Sequence, residues 1–201
     1  MLPFGHMGIT LAAGMLTKGI LLKSPVQKAE AKEMVISSEI SSSFALIKNH
    51  VDYRLLLVGS LLPDLIDKPL GDIFFYSIFR NGRIFSHTLC LNITLAALGV
   101  YISKRWNKTW LLILSFGAIL HLILDQMWLQ PQTFLWPLYG WNFAKADSVN
   151  FLGWLPTMFQ LLTTEATVYV PELVGLSILA WFAARLIQRR QVYAFIRKGV
   201  M

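Results

Sequence analysis

The sequence has little charge and almost no cysteine. Only 14% of its 201 residues are Asp, Glu, Lys or Arg, against about 25% in an ordinary soluble domain. The one cysteine, Cys90, lies in an apolar run, which excludes a disulfide framework and a Cys-based zinc site and leaves a small buried hydrophobe as its reading. No Gly-, Ser- or Pro-rich linker and no internal repeat divides the chain, so a single domain over residues 1–201 is expected. Gly-x-Ser-x-Gly, phosphate-loop and dinucleotide glycine patterns are missing, which argues against serine-hydrolase and nucleotide chemistry. The first apolar stretch lacks a basic n-region and a clear small-residue cleavage site, so it reads as retained rather than as a cleaved signal peptide.

What is there is mostly apolar, with 55% hydrophobic residues, and that imbalance needs lipid to solvate it. Hydropathy predicts three strong spans at 84–103, 109–129 and 166–187, each near the roughly 20 residues that cross a bilayer core. Two weaker segments obey the same logic. Residues 6–22 are interrupted by Lys18 and glycines, and 55–62 are apolar for one short stretch before Pro63, which is expected to end the helix. The second segment is a half-span or a re-entrant piece, and a count of five helices requires both weak segments to cross. Residues 23–54 are polar and read as a loop or short helix on the membrane surface, and 130–165, with Trp136, Pro137, Trp141, Trp154 and Pro156, reads as an interfacial segment. The expected fold class is therefore all-α: a polytopic integral membrane protein with about five membrane helices.

Orientation is set by Lys and Arg beside the spans. Lys104, Arg105 and Lys108 mark one inside loop, and Arg185, Arg189, Arg190, Arg197 and Lys198 mark an inside tail, whereas 130–165 holds only Lys145. The net charge of +7 is thus assigned to anionic headgroups, with no nucleic acid partner expected. The N-terminus is expected outside and the C-terminus inside.

On that topology His6, Asp64, Asp67, His87, His121 and Asp125 all fall toward the outer side. Ionisable residues inside apolar spans are costly, so function is their default reading. His121 and Asp125 stand four residues apart, on one helix face, and two ligands there can reach one ion; the alternative is a hydrogen bond that ties helices together. Asp64 and Asp67 sit in Leu61-Leu62-Pro63-Asp64-Leu65-Ile66-Asp67, with Asp64 read as a ligand and Asp67 as a ligand or a group that orients one. Arg83 is one turn before His87, and its fork suits a phosphate or carboxylate; the alternative for it, and the reading for Arg80, is an arginine snorkelling to the interface. His50 falls on the opposite side, and Glu172 beside Pro171 reads as a helix-start charge with an accessory role open. Imidazole and carboxylate ligands suit zinc, one or two ions, with manganese the second choice. Hydrolysis by metal-activated water is the natural chemistry, with Asp64, Asp125 and Arg83 the expected catalytic residues. The rival class is non-catalytic: a metal or proton transporter, or a regulatory scaffold.

Gly5-His6, Gly59 with Leu62-Pro63-Asp64 and Asp67, Arg83 with Ser86-His87-Thr88, and His121-x-x-x-Asp125 followed by Trp136-Pro137 together resemble the membrane-bound metal-dependent hydrolases of the YdjM type, over roughly residues 5 to 140. The order His, Asp, His, His-x-x-x-Asp is in turn similar to zinc-dependent phospholipase C and P1 nuclease. The resemblance implies phosphoester hydrolysis of a lipid or lipid-linked substrate in the inner (cytoplasmic) membrane, at its extracytoplasmic side. It implies that Asp64, His87, His121 and Asp125 hold one ion and that His6 with a bridging Asp125 helps to hold another. No histidine comes after His121, so a third ion is not expected.

Overall fold

The structure is a computed structural model that describes residues 2–23, 51–145 and 151–199. Most of the polar stretch expected on the membrane surface, residues 24–50 with His50, lies outside the described residues. Among the described residues the chain is helical and has no strand. Its helices are α1 (Pro3–Lys23), α2 (Tyr53–Lys68), α3 (Leu89–Trp106), α4 (Trp110–Leu124), α5 (Phe151–Thr164), α6 (Ala166–Gln188) and α7 (Val192–Lys198).

Local chemistry sets the helix ends. Asp52 caps α2 by accepting from Arg54 N at 2.9 Å, and Thr88 caps α3 by accepting from Leu91 N at 3.2 Å, each satisfying an amide that has no partner within the helix. The 84–103 span starts later than expected, at Leu89, because residues 80–88 form a loop whose amides are drawn onto the Asp67 carboxylate. The 109–129 span stops at Leu124, where Gln126 takes a left-handed φ of 52° and turns the chain. Pro63 does not end α2. The helix runs through it to Lys68 and on into a π-helical turn, Pro69–Phe74; Pro63 removes one amide from the ladder, and the turns beyond it are held by the side chains that Asp64 and Asp67 engage. Within 130–165 the chain forms a single turn at Pro131–Phe134 and then α5.

The helices alternate in direction around the site. Gly14 of α1 meets Leu56 of α2, Gly59 and Gly117 bring α2 and α4 together, Gly99 of α3 meets Leu112 of α4, and Gly8 and Gly175 join α1 to α6. So α1, α3 and α6 start at one end of the bundle, and α2 and α4 finish there. Small residues at the crossings let backbones approach, which is how helices associate where lipid removes the hydrophobic drive between them. The distribution of side chains is inverted relative to a soluble protein. His6, Thr10, Ser60, Asp67, His87, Asn92, His121 and Glu172 are buried, while Ile93, Leu98, Tyr101, Leu173, Leu176, Trp181 and Ile187 are exposed. α6 is long and apolar enough to cross a membrane, and α4, with 15 residues, is apolar but shorter.

A Cβ on Gly175 would collide with the Phe4 carbonyl and the Gly5 Cα. Gly175→Leu is therefore expected to part α1 from α6 at an overpacking cost of about 1–3 kcal/mol, lowering the thermal midpoint of the detergent-purified protein by at least about 3 °C; an unchanged midpoint would show that the contact is not close.

Candidate metal centre

Three imidazoles and three carboxylates meet at the end of the bundle where α1, α3 and α6 begin. α1 brings His6, α2 brings Asp64 and Asp67, the loop before α3 brings Arg83 and His87, and the end of α4 brings His121 and Asp125. His6, His87 and His121 have no exposed surface.

Two hydrogen bonds fix which ring nitrogens are free. His121 Nδ1 lies 2.7 Å from the Ser60 carbonyl oxygen, and His87 Nδ1 lies 2.7 Å from Asp67 Oδ2. Both partners only accept, so each Nδ1 carries the proton, and the Nε2 of each neutral ring presents a bare lone pair. Those two Nε2 atoms stand 3.3 Å apart, and Asp64 Oδ1 completes a triangle at 3.5 Å from His87 and 3.7 Å from His121. With both rings neutral, three acceptors at these separations repel one another, and a metal cation or a shared proton among them relieves the repulsion. The spacing is that of neighbouring corners of a tetrahedron with bonds of about 2.1 Å, the size of a zinc site with its fourth position open. The residues therefore fit a divalent ion.

His6, His121 and Asp125 form a second group whose ligand atoms converge. His6 Nε2 is 3.1 Å from Asp125 Oδ1, close enough for an ion pair but not aligned for a hydrogen bond, and His6 Nδ1 has no hydrogen-bond partner. Its ring stacks on that of His121 with centroids 4.0 Å apart. Asp125 Oδ2 is 3.9 Å from His121 Nε2 and 2.8 Å from Arg83 Nη2.

Asp67 is placed differently from the other expected ligands. Its carboxylate accepts from Ile84 N at 2.8 Å, Ser86 N at 3.0 Å, His87 N at 3.2 Å and His87 Nδ1, and it belongs to neither converging group. With its lone pairs spent on four donors it stands behind His87 and sets that ring's tautomer, the role of a ligand's orienting partner. Arg80 is exposed and takes a left-handed backbone conformation.

Sequence reasoning missed two contributors, Lys68 and the Ser60 carbonyl, and left the role of a third, Glu172, open. Lys68 bonds Asp64 Oδ2 at 2.6 Å, and the four-residue spacing from Asp64 was the readable signal. The Ser60 carbonyl, a backbone group, left none. Glu172, read as a helix-start charge, is buried and caps a different helix: its oxygens accept from Phe4 N and Gly5 N at 3.0 Å, setting negative charge on the positive end of α1 beside His6.

Asp67→Asn keeps the shape behind His87 but no longer demands that Nδ1 carry the proton. It is expected to weaken zinc binding by about 10–100-fold, measured by competition with a chromophoric chelator, while helix content stays unchanged; wild-type affinity would show that Asp67 does not orient the ligand.

No curated protein and no solved structure matches the chain. The family described as YdjM inner membrane protein matches residues 1–192, a stretch that contains every helix contributing to this centre, and the chain belongs to that family of inner membrane proteins.

Proposed function

We propose that the chain is a polytopic inner-membrane hydrolase, one domain over residues 1–201, that cleaves a phosphoester of a lipid or lipid-linked substrate at the extracytoplasmic face. The observation that carries this reading is the triangle of acceptors formed by His87 Nε2, His121 Nε2 and Asp64 Oδ1. Two imidazoles and a carboxylate suit zinc, with manganese the second choice. A divalent ion bound there supplies a Lewis acid that polarises a phosphoryl oxygen and makes a water acidic enough to attack it. The protein's own groups do the rest. Asp125 lies beside the triangle, with His6 against one oxygen and Arg83 against the other, placed to take a proton from the attacking water. Arg83 has more donors than its contact with Asp125 uses, and a guanidinium fork steadies the charge that develops on a phosphoryl group. The ligand order resembles that of zinc-dependent phospholipase C and P1 nuclease, which supports phosphoester chemistry.

Five crossings, by α1, α2, α3, α4 and α6, are supported by their alternating directions and by their lipid-facing surfaces. Lys104, Arg105, Lys108 and Arg185 lie at the end of the bundle away from the centre, and exposed Trp128, Leu138 and Trp141 lie near it, as the positive-inside rule and an interfacial aromatic belt require. The transporter alternative is disfavoured by one observation. Among the described residues the buried imidazole and carboxylate side chains, His6, Asp67, His87, His121 and Glu172, all gather at the same end, whereas a path through the membrane needs such groups at several depths.

The purified wild type is expected to carry stoichiometric zinc or manganese by elemental mass spectrometry, and His87→Ala/His121→Ala to carry none. Asp125→Asn leaves the triangle intact and is expected to keep the metal while turnover of a phospholipid or lipid phosphate falls about 10²–10⁴-fold. Metal-free wild type would remove the centre; bound metal with no turnover on lipid phosphoesters would favour a scaffold.

A further inference from the structure

Beside the centre, two cavities join. The first, of about 250 Å³, is lined by Lys68, Asn81 and Arg83 together with Leu2 and Met158. The second, of about 630 Å³, also touches Leu2 and Met158 and continues between α1, α5 and α6 along Phe4, Phe159, Leu162, Tyr169, Leu173 and Leu176. Its walls are apolar, and Phe4, Phe159, Leu173 and Leu176 are exposed, so the groove is open along the side of the bundle. Val168 lines the first cavity and Leu176 the far part of the second. Those eight residues of α6 span about 12 Å of helix, close to the roughly 15 Å depth of one leaflet's hydrocarbon.

The polar end of this groove is charged in a specific way. Lys68 and Arg83 are the direct partners of Asp64 and Asp125, at 2.6 Å and 2.8 Å, and each cation remains more than a third exposed while its carboxylate is nearly buried. An anion that enters the small cavity thus meets two cations at the mouth of the centre, and anything attached to it on the groove side meets mostly apolar walls, Thr163 and Glu172 being the polar exceptions and Glu172 being held by the Phe4 and Gly5 amides. A water-soluble phosphoester uses half of this surface. A lipid uses all of it.

We infer that the groove between α1, α5 and α6 seats one acyl chain of an anionic membrane phospholipid whose phosphate rests on Lys68 and Arg83, entering sideways from the bilayer. The hydrolase reading is needed only for the chemical step after binding; the seat itself is a claim about lipid recognition. On the far side of Arg83 a third cavity of about 430 Å³ is lined by Asn81, Gln130, Gln132, Thr133 and Lys145. A polar substituent on the phosphate has room there, with amide and hydroxyl groups to meet it. The lipid class indicated is a lipid monophosphate or a phosphodiester whose polar headgroup carries no positive charge, since Arg83 and Lys145 line that cavity, rather than a free sugar phosphate or nucleotide.

The test places the full chain in phosphatidylcholine nanodiscs doped with phosphatidic acid that carries a photoreactive diazirine in one acyl chain, and maps cross-links by mass spectrometry. Cross-links are expected to concentrate on residues 2–4, 158–163 and 169–176. A diazirine phosphatidylcholine at the same mole fraction is expected to label the lipid-facing sides of α3, α4 and α6 without that preference. Leu173→Trp fills the groove at a position already facing outward, so folding is not at stake, and is expected to cut the groove cross-links about ten-fold; Lys68→Ala/Arg83→Ala is expected to cut them to a similar extent by removing the anion's partners. Cross-links from phosphatidic acid spread evenly over the bundle, or groove cross-links unaffected by Leu173→Trp, would overturn the inference. Hydrolysis is read separately: groove labelling without turnover sinks the hydrolase reading and keeps the seat, and lipid turnover without groove labelling does the reverse.

Discussion

The hydrogen bond between His121 Nδ1 and the Ser60 carbonyl, 2.7 Å long and wholly buried, sets what the neighbouring groups can do. It requires the two helix backbones to lie close together. Gly59 and Gly117 permit this: a Cβ on Gly59 would stand 2.5 Å from the Leu114 carbonyl, and one on Gly117 would stand 2.8 Å from the Leu56 carbonyl. The same crossing lays Asp64, one turn beyond Ser60, beside the His121 ring. A close backbone contact therefore decides the tautomer of a side chain, and the tautomer decides that a lone pair rather than a proton faces His87.

The balance of charge around that point leads to a cation. Lys68 pairs with Asp64 and Arg83 with Asp125, while Asp67 faces an imidazole and backbone amides. Burying an uncompensated charge is expensive, and two facing lone pairs add to the cost. A divalent ion among the ligands adds two positive charges. The cluster then suits an anionic substrate, and the two side chains that give it that character are the ones left partly exposed. Glu172 stands outside this balance, since its charge is matched against the amides that begin α1.

Much of this was legible in the amino-acid sequence. Composition pointed to a membrane protein, in keeping with the family, although an apolar core of Leu11, Leu56, Ile113 and Phe182 also packs inside the bundle, and the rare His and Asp residues stood out because charge inside apolar runs is costly. The four-residue spacing of His121 and Asp125 put both on one face. Helix boundaries were less legible for two reasons. Pro63 carries a local signal for a break, but side chains beyond it tie the next turns to the loop before α3, so a tertiary contact overrides propensity. Residues 84–88 are apolar enough to read as span, yet the Asp67 carboxylate takes their amides, and no hydropathy window registers a carboxylate seventeen or more residues upstream. The Ser60 carbonyl was invisible for a different reason: every residue has one, and only the crossing geometry selects it.

The number of ions is limited by the same ring. His121 belongs to both converging groups, but its Nδ1 is committed to Ser60, and its Nε2 has a single lone pair. It can ligate one ion. If that ion sits with His87 and Asp64, three protein ligands surround it and a fourth position stays open, the arrangement of catalytic rather than structural zinc. What remains for a second ion is His6 and Asp125, and Arg83 already occupies one oxygen of Asp125. Two ligands, one of them shared with a guanidinium, hold an ion poorly, so the second group works better as a base beside the first. An anionic group that binds the Arg83 guanidinium would compete with the Asp125 carboxylate for it, so the occupancy of the anion seat and the pairing of Asp125 are coupled.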